Sequence, residues 1–282
     1  MNQVIELLMK HRSIRKFKPD PIPDSTVETI VRAAQMASTS SNVQAYSVIA
    51  IKDRNLREQL MKLSGNQQYV MDCPVFLVWC ADLYRLGKAA AKHAEVGGGE
   101  QQNGSSGQQM ESSEQTGAGS STQQAGAGHV KQDTYADSVE NLLIATVDTA
   151  LAAQNAAVAA ESLGLGIVYI GGLRNQIAEV SELLNLPELV YPLFGMCIGI
   201  PDQAPLSRPR LPLDAVLHTD TYQTERIEPG IDAYDRIYSQ YMRERSGGKD
   251  STVWSIQMRK RLTEPIRLHM KDFLQSKGFM KR

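Results

Sequence analysis

The stretch from Ser138 to Leu163 reads SVENLLIATVDTALAAQNAAVAAESL, with Ala, Leu and Val spread around nearly the whole circumference of the helix it predicts. An ordinary surface helix keeps one broad polar face, and this one keeps almost none. The pattern predicts a central helix covered on every side, so the other elements have to supply its coat. Gly164 and Gly166 end it.

The rest of the chain offers suitable pieces. Val27, Ile30, Val31 and Ala34 fall at helical spacing behind Asp24, a plausible N-cap, and predict a helix over residues 25–37 fenced by Pro21 and Pro23. YSVIAIK (46–52) has the length and β-branched content of a strand, and DRNLREQLMKLS (53–64) reads as a helix closed by Gly65 in the left-handed conformation. Buried strands are expected over 74–80, 167–170 and 192–200, with a helix over 173–184. This alternation of helices and strands gives an α/β chain. Beyond Gly230, residues 234–245 and 255–277 are charged and partly aromatic, and read as helices covering the surface or a partner.

One segment cannot join a core. Residues 97–128 are rich in Gly, Ser and Gln, with Met110 as the only large apolar side chain, too little to offset the entropy of ordering them. We expect a disordered insert, tolerated rather than functional, within a single domain spanning 1–282. With 42% hydrophobic and 22% charged residues and a formal net charge of -1, the chain has no overall field for nucleic acid or an anionic membrane. Residues 1–10 carry Glu6 rather than a basic targeting region, and no apolar stretch elsewhere reaches spanning length, so a cytoplasmic protein is expected. Cys73, Cys80 and Cys197 sit in or beside strand-like apolar runs, an odd and sparse set that suits small buried hydrophobes better than disulfides or zinc.

Hydrolytic and phosphoryl-transfer signatures are absent from the sequence: no G-x-S-x-G, no Walker A, no H-E-x-x-H, no C-x-x-C. The five histidines lie too far apart for a local metal site. Gly164, Gly166, Gly171 and Gly172 follow a helix and bracket a strand, the reverse of the order that places a pyrophosphate on a helix N-terminus. Five polar clusters remain. His11-Arg12-Ser13-Ile14-Arg15 suits a phosphate, or equally the compensation of a helix C-terminus by cations. Ser38-Thr39-Ser40-Ser41-Asn42 with Gln44 offers small donors to a planar polar ligand, or is simply a loop. Gly65-Asn66-Gln67-Gln68-Tyr69 adds amides and an aromatic ring after a helix cap. Tyr169-Ile170-Gly171-Gly172 lets main-chain N–H groups approach a ligand. Arg208-Pro209-Arg210 stiffens two guanidiniums, and is also an unremarkable surface loop.

Taken together in this order, and with the stretches SLGLGIVYIGGLRNQI and RPRLP, these clusters resemble the nitroreductase family in its oxygen-insensitive NADPH nitroreductase A and flavin reductase P group. The resemblance runs over nearly the whole chain apart from the insert. It implies an α+β nitroreductase fold, a mainly antiparallel sheet flanked by helices, in an intertwined homodimer with FMN held between subunits. By the same resemblance His11, Arg15, Arg208 and Arg210 would hold the FMN phosphate. Arg12, Ser13, Ser38, Thr39, Ser40, Gln67 and Tyr69 would line the ribityl chain and ring, and the main chain of Tyr169, Ile170, Gly171 and Gly172 would face the ring near its N5. Glu140 resembles a position close to the nicotinamide, or is a plain helix-start acid. Arg245, with Lys249 behind it, resembles a loop that grips the extra phosphate of NADPH; a solvated helix end followed by a Gly-Gly turn is the alternative. Two departures stand out. The family often has Lys where Arg208 stands, and it lacks the insert, which leaves substrate range open.

No side chain need act as acid, base or nucleophile in such an enzyme, since the flavin carries the chemistry. The implied reaction is a ping-pong transfer from NADPH to small acceptors such as nitroaromatics, quinones or free flavin. The rival readings are a flavin-binding redox sensor or interaction protein without turnover and, within the wider superfamily, dehalogenation or flavin breakdown.

Overall fold

The computed structural model describes residues 2–92 and 134–282; the insert expected at 97–128 lies outside the described residues. Along the chain run α1 (Gln3–Met9), α2 (Asp24–Gln35), β1 (Tyr46–Ala50), α3 (Arg54–Leu63), α4 (Tyr69–Asp72), β2 (Val75–Asp82) and α5 (Tyr84–Ala91). They are followed by α6 (Val139–Ser162), β3 (Gly166–Ile170), α7 (Ile177–Leu183), β4 (Val190–Gly199), α8 (Ile227–Ser246), α9 (Trp254–Thr263) and α10 (Met270–Ser276). The strands form one sheet in the order β1-β2-β4-β3, every neighbour antiparallel. Sequence alternation of helix and strand had suggested an α/β chain, but alternation does not fix strand direction. The antiparallel α+β architecture implied by the family resemblance is the one observed.

Burial on both faces explains why β2 reads as a continuous apolar run. Phe76, Val78 and Cys80 point into a core shared with Leu60 of α3, Val70 of α4 and Val180 of α7. Leu77 and Trp79, on the opposite face, pack with Ile30 and Ala34 of α2 and with the alanines of α6. Ser138 caps α6 by accepting from Asn141 N, and Gly164 at φ +77° stops it.

The expectation that α6 is covered on every side needs correction. Its alanine face is buried, but Val139, Leu143, Val147 and Leu151, four residues apart on one stripe, are 45–54% exposed. Among the described residues no element lies over that stripe. α6 is also long and apolar enough to cross a membrane by length and composition, contrary to the expectation that no stretch is; eight of its residues lie buried against the sheet and α2. Smaller differences have local causes. Asp24 is the first helical residue rather than the cap, and its carboxylate holds Lys52 at 2.7 Å. The helix expected over 173–184 begins as a 3-10 turn, Gly171–Arg174, before α7. Pro265 separates α9 from α10, and Glu264 before it is extended (φ -95°, ψ 135°).

Candidate functional site

The basic clusters meet because the N-terminal segment is sewn to the sheet. Ile14 is buried, donates its N–H to Ile167 O at 2.8 Å, and packs so close to β3 that a Cβ on Gly166 would lie 2.5 Å from it. Lys18 N donates to Ile200 O and Asp202 N to Lys16 O, tying residues 14–18 to the exit of β4. His11, Arg12, Ser13 and Arg15 are thereby carried to the segment after β4, where Arg12 donates to Pro205 O at 2.9 Å. The result is a cavity of about 350 Å³ lined by these four residues, by Arg208 and Arg210, and by Tyr241 and Arg245 of α8.

Five guanidiniums therefore converge, and none of them forms an ion pair with a carboxylate among the described residues. The one acid in contact with the group among the described residues is Glu161, near the end of α6, 2.6 Å from His11 Nδ1. Arg210 is steadied by donating to Arg208 O, and Tyr234 fixes the same turn by donating to Pro209 O at 2.9 Å. Arg245 sits in the last turn of α8, which closes on Gly247 at φ +62°, so the helix-end geometry and the pocket position coexist. Lys249 is exposed beyond that cap and does not line the cavity; Glu140 is exposed in the first turn of α6 with no hydrogen bond or ion pair among the described residues.

A second group gathers Gln67, Tyr69, Gly171 and Gly172. Gln67 Nε2 donates to Ser64 O at 2.6 Å, and Tyr69 donates its hydroxyl to Gln67 Oε1. A Cβ on Gly172 would stand 2.2 Å from Ser64 O and 2.3 Å from Gln67 Nε2, so only glycine fits between them. Ile170 is buried, while the Tyr169 side chain turns away to rest edge-on against Phe194 with its hydroxyl donating to Gln154; burial raises its phenol well above the usual value. Only the main chain of Tyr169–Gly172 is left to face a ligand.

Beside Gly171 lies Arg174, whose guanidinium donates to Leu193 O. Burial lowers the Arg174 pKa, and burial followed by the nearness of Arg174 and Arg261 lowers that of Arg267. Arg267 Nε donates to Asn175 Oδ1 at 3.0 Å. Sequence reasoning missed Arg174 and Arg267; an Arg two positions after the paired glycines was the available signal for the first.

A third group is the loop of Ser38, Thr39 and Ser40, in which Thr39 Oγ1 accepts from Gln44 N at 3.2 Å. Ser38 and Ser40 are exposed. No hydrogen bond joins this loop to either of the other groups among the described residues. It is held from beneath by Asp148 of α6, also missed, although an acid inside an otherwise apolar helix is a signal for a buried, paired carboxylate.

Residues 8–200 match the nitroreductase family, and residues 208–282 match the nitroreductase family, C-terminal domain. The chain is 37% identical over 283 residues to the FMN reductase (NADPH) of Bacillus subtilis, covering 100% of both. It is 41% identical over 277 residues to the CR(VI) reductase of Pseudomonas sp., covering 98% of each. Its fold superposes on NfrA1 of B. megaterium with a TM-score of 0.84 at 38% identity, over 99% of this chain and 100% of that one. The antiparallel sheet, the paired glycines after β3 and the full-length agreement together make this chain a member of the nitroreductase family.

Proposed function

We propose that the protein is an FMN-dependent oxidoreductase that takes hydride from NADPH and reduces small acceptors such as nitroaromatics, quinones or free flavin. The observation that carries this reading is the convergence of five guanidiniums with no carboxylate partner among the described residues, which suits a dianionic phosphate. The relatives named an NADPH-dependent FMN reductase and a CR(VI) reductase support the same chemistry. His11, Arg15, Arg208 and Arg210 hold the phosphate. Arg12, Ser13, Ser38, Thr39, Ser40, Gln67 and Tyr69 would line the ribityl chain and ring, and the main chain of Tyr169–Gly172 would face the ring near its N5. Bound FMN supplies an N5 atom that accepts hydride and returns it.

The residues orient and polarise. Arg174, beside Gly171, and Arg267, close to Arg174, bring positive charge to the place where acceptor oxygens gain negative charge on reduction. Arg245, on the rim of the phosphate cavity, selects NADPH through its 2′-phosphate. Donor and acceptor use the same open face in turn, which makes the kinetics ping-pong. The chain works as a homodimer: the uncovered apolar stripe of α6 is the surface buried between subunits, and the separated Ser38–Ser40 loop completes the cradle of the partner.

Purified protein is expected to be yellow, with about one FMN per chain, bleached by NADPH without oxygen and recoloured by a quinone. Colourless protein that takes up no FMN on reconstitution overturns the reading.

A further inference from the structure

The carboxylate of Asp148 is 1% exposed and forms no ion pair among the described residues. Arg85, which like Asp148 acts on the Tyr46 phenol, is engaged instead by Ser47 and Asp82. Each oxygen of Asp148 accepts one main-chain N–H from the same loop: Oδ1 from Ser40 N and Oδ2 from Ala45 N, both at 3.1 Å. Between those two anchors the backbone is strained. Ser41, Asn42 and Gln44 hold φ of 46°, 58° and 50°, the left-handed region that side chains disfavour. Such conformations persist only where surrounding contacts over-determine them, and they concentrate at ligand clamps. The hydroxyls of Ser38 and Ser40, meanwhile, face outward and form no hydrogen bond among the described residues.

We propose that Asp148 is a positioning residue for the cofactor: it fixes the Ser38–Ser40 loop in its flavin-contacting shape before the flavin arrives. The inference rests on the FMN reading given above. A carboxylate suits this task better than a neutral amide, because both of its oxygens accept and the loop offers two donors. In Asp148→Asn one acceptor becomes an NH2 group facing a main-chain N–H. One anchor is lost, the loop relaxes toward ordinary backbone angles, and FMN meets a disordered wall. The buried position also gives the acid a structural share, so stability alone cannot identify the positioning role.

The test is FMN titration of flavin-stripped wild type and Asp148→Asn, followed by fluorescence and by the visible circular dichroism of the bound flavin. Expected are a Kd raised about tenfold or more and an altered flavin dichroism in protein that is still folded. Equal Kd and unchanged dichroism in folded Asp148→Asn overturn the inference, even where its Tm is lower. Wild type that binds no FMN overturns the flavin reading itself, a different and separately visible failure. Hydrogen exchange of flavin-free wild type decides the matter without a variant: the amides of Ser40 and Ala45 should be protected while that of Ser41, which meets no acceptor among the described residues, exchanges freely. Unprotected Ser40 and Ala45 amides in folded protein overturn the inference.

Discussion

Gly172 has no room for a methyl group, because Ser64 O and Gln67 Nε2 occupy the place where a Cβ would go. Gly87 in α5, by contrast, has nothing within 4 Å. Gly172→Ala should therefore cost about 1–3 kcal/mol through overpacking against backbone, while Gly87→Ala should be neutral or stabilising by about 0.5–1 kcal/mol in a helix. Thermal melts of the two variants check the contrast, and an undisturbed Gly172→Ala would mean that Gln67 moves freely. Charge gives a second residue-scale expectation. Arg15→Ala or Arg210→Ala should each remove charge-assisted bonds to the phosphate worth about 1.5–3 kcal/mol apiece, read as faster FMN loss on dialysis. Arg245→Ala should spare flavin retention relative to these. It should instead cut the preference for NADPH over NADH by about ten- to a hundredfold in the rate of flavin reduction. Equal losses with both nicotinamides would reduce Arg245 to a helix-end charge.

At the scale of elements, α6 joins most of the story. Its boundaries were legible from the sequence to within a residue, because Ser138 caps one end and Gly164 turns the other. The strands were legible as apolar runs for a similar local reason. The partners of the helix were not. An all-round apolar sequence says that a surface wants covering without saying by what, and the stripe of Val139, Leu143, Val147 and Leu151 is left bare among the described residues. The five polar clusters of the site could be seen as local runs, but Asp148 reaches loop residues 103 and 108 positions away and Glu161 reaches His11 across 150, separations that no local pattern encodes. The stripe yields a direct expectation. If it is the subunit surface proposed above, Leu143→Glu combined with Val147→Glu should leave the helix intact, since both side chains already face outward, but should give a monomer where wild type sediments as a dimer, and loosen FMN with it. A double variant that sediments as wild type would move the subunit interface elsewhere.

Over the whole molecule, burial of weak acids sets an alkaline limit. Burial pushes the Cys80 thiol up to about 12 and raises the phenols of Tyr46, Tyr191 and Tyr234 as well. Below about pH 8.5, the ordinary thiol value, folded and unfolded chains hold these protons alike and the stability is fully present. Above it the unfolded chain ionises while the folded one does not, so stability should fall steadily as pH rises toward 12. Urea midpoints at pH 7, 9 and 10 should decline in that order, and a rising midpoint would show that these groups ionise freely in the native state. The way the phosphate cavity is sewn together also has a consequence in time. Arg12 meets Pro205 across 193 residues, and Arg245 joins them from farther along still. During synthesis the first half of the basic cluster emerges early and waits, a cationic stub without its counterpart, until the last quarter of the chain leaves the ribosome. Nascent chains stalled before Arg208 should already show a collapsed core yet capture no flavin, which makes cofactor loading a late, near-terminal event of biogenesis rather than a seed for folding.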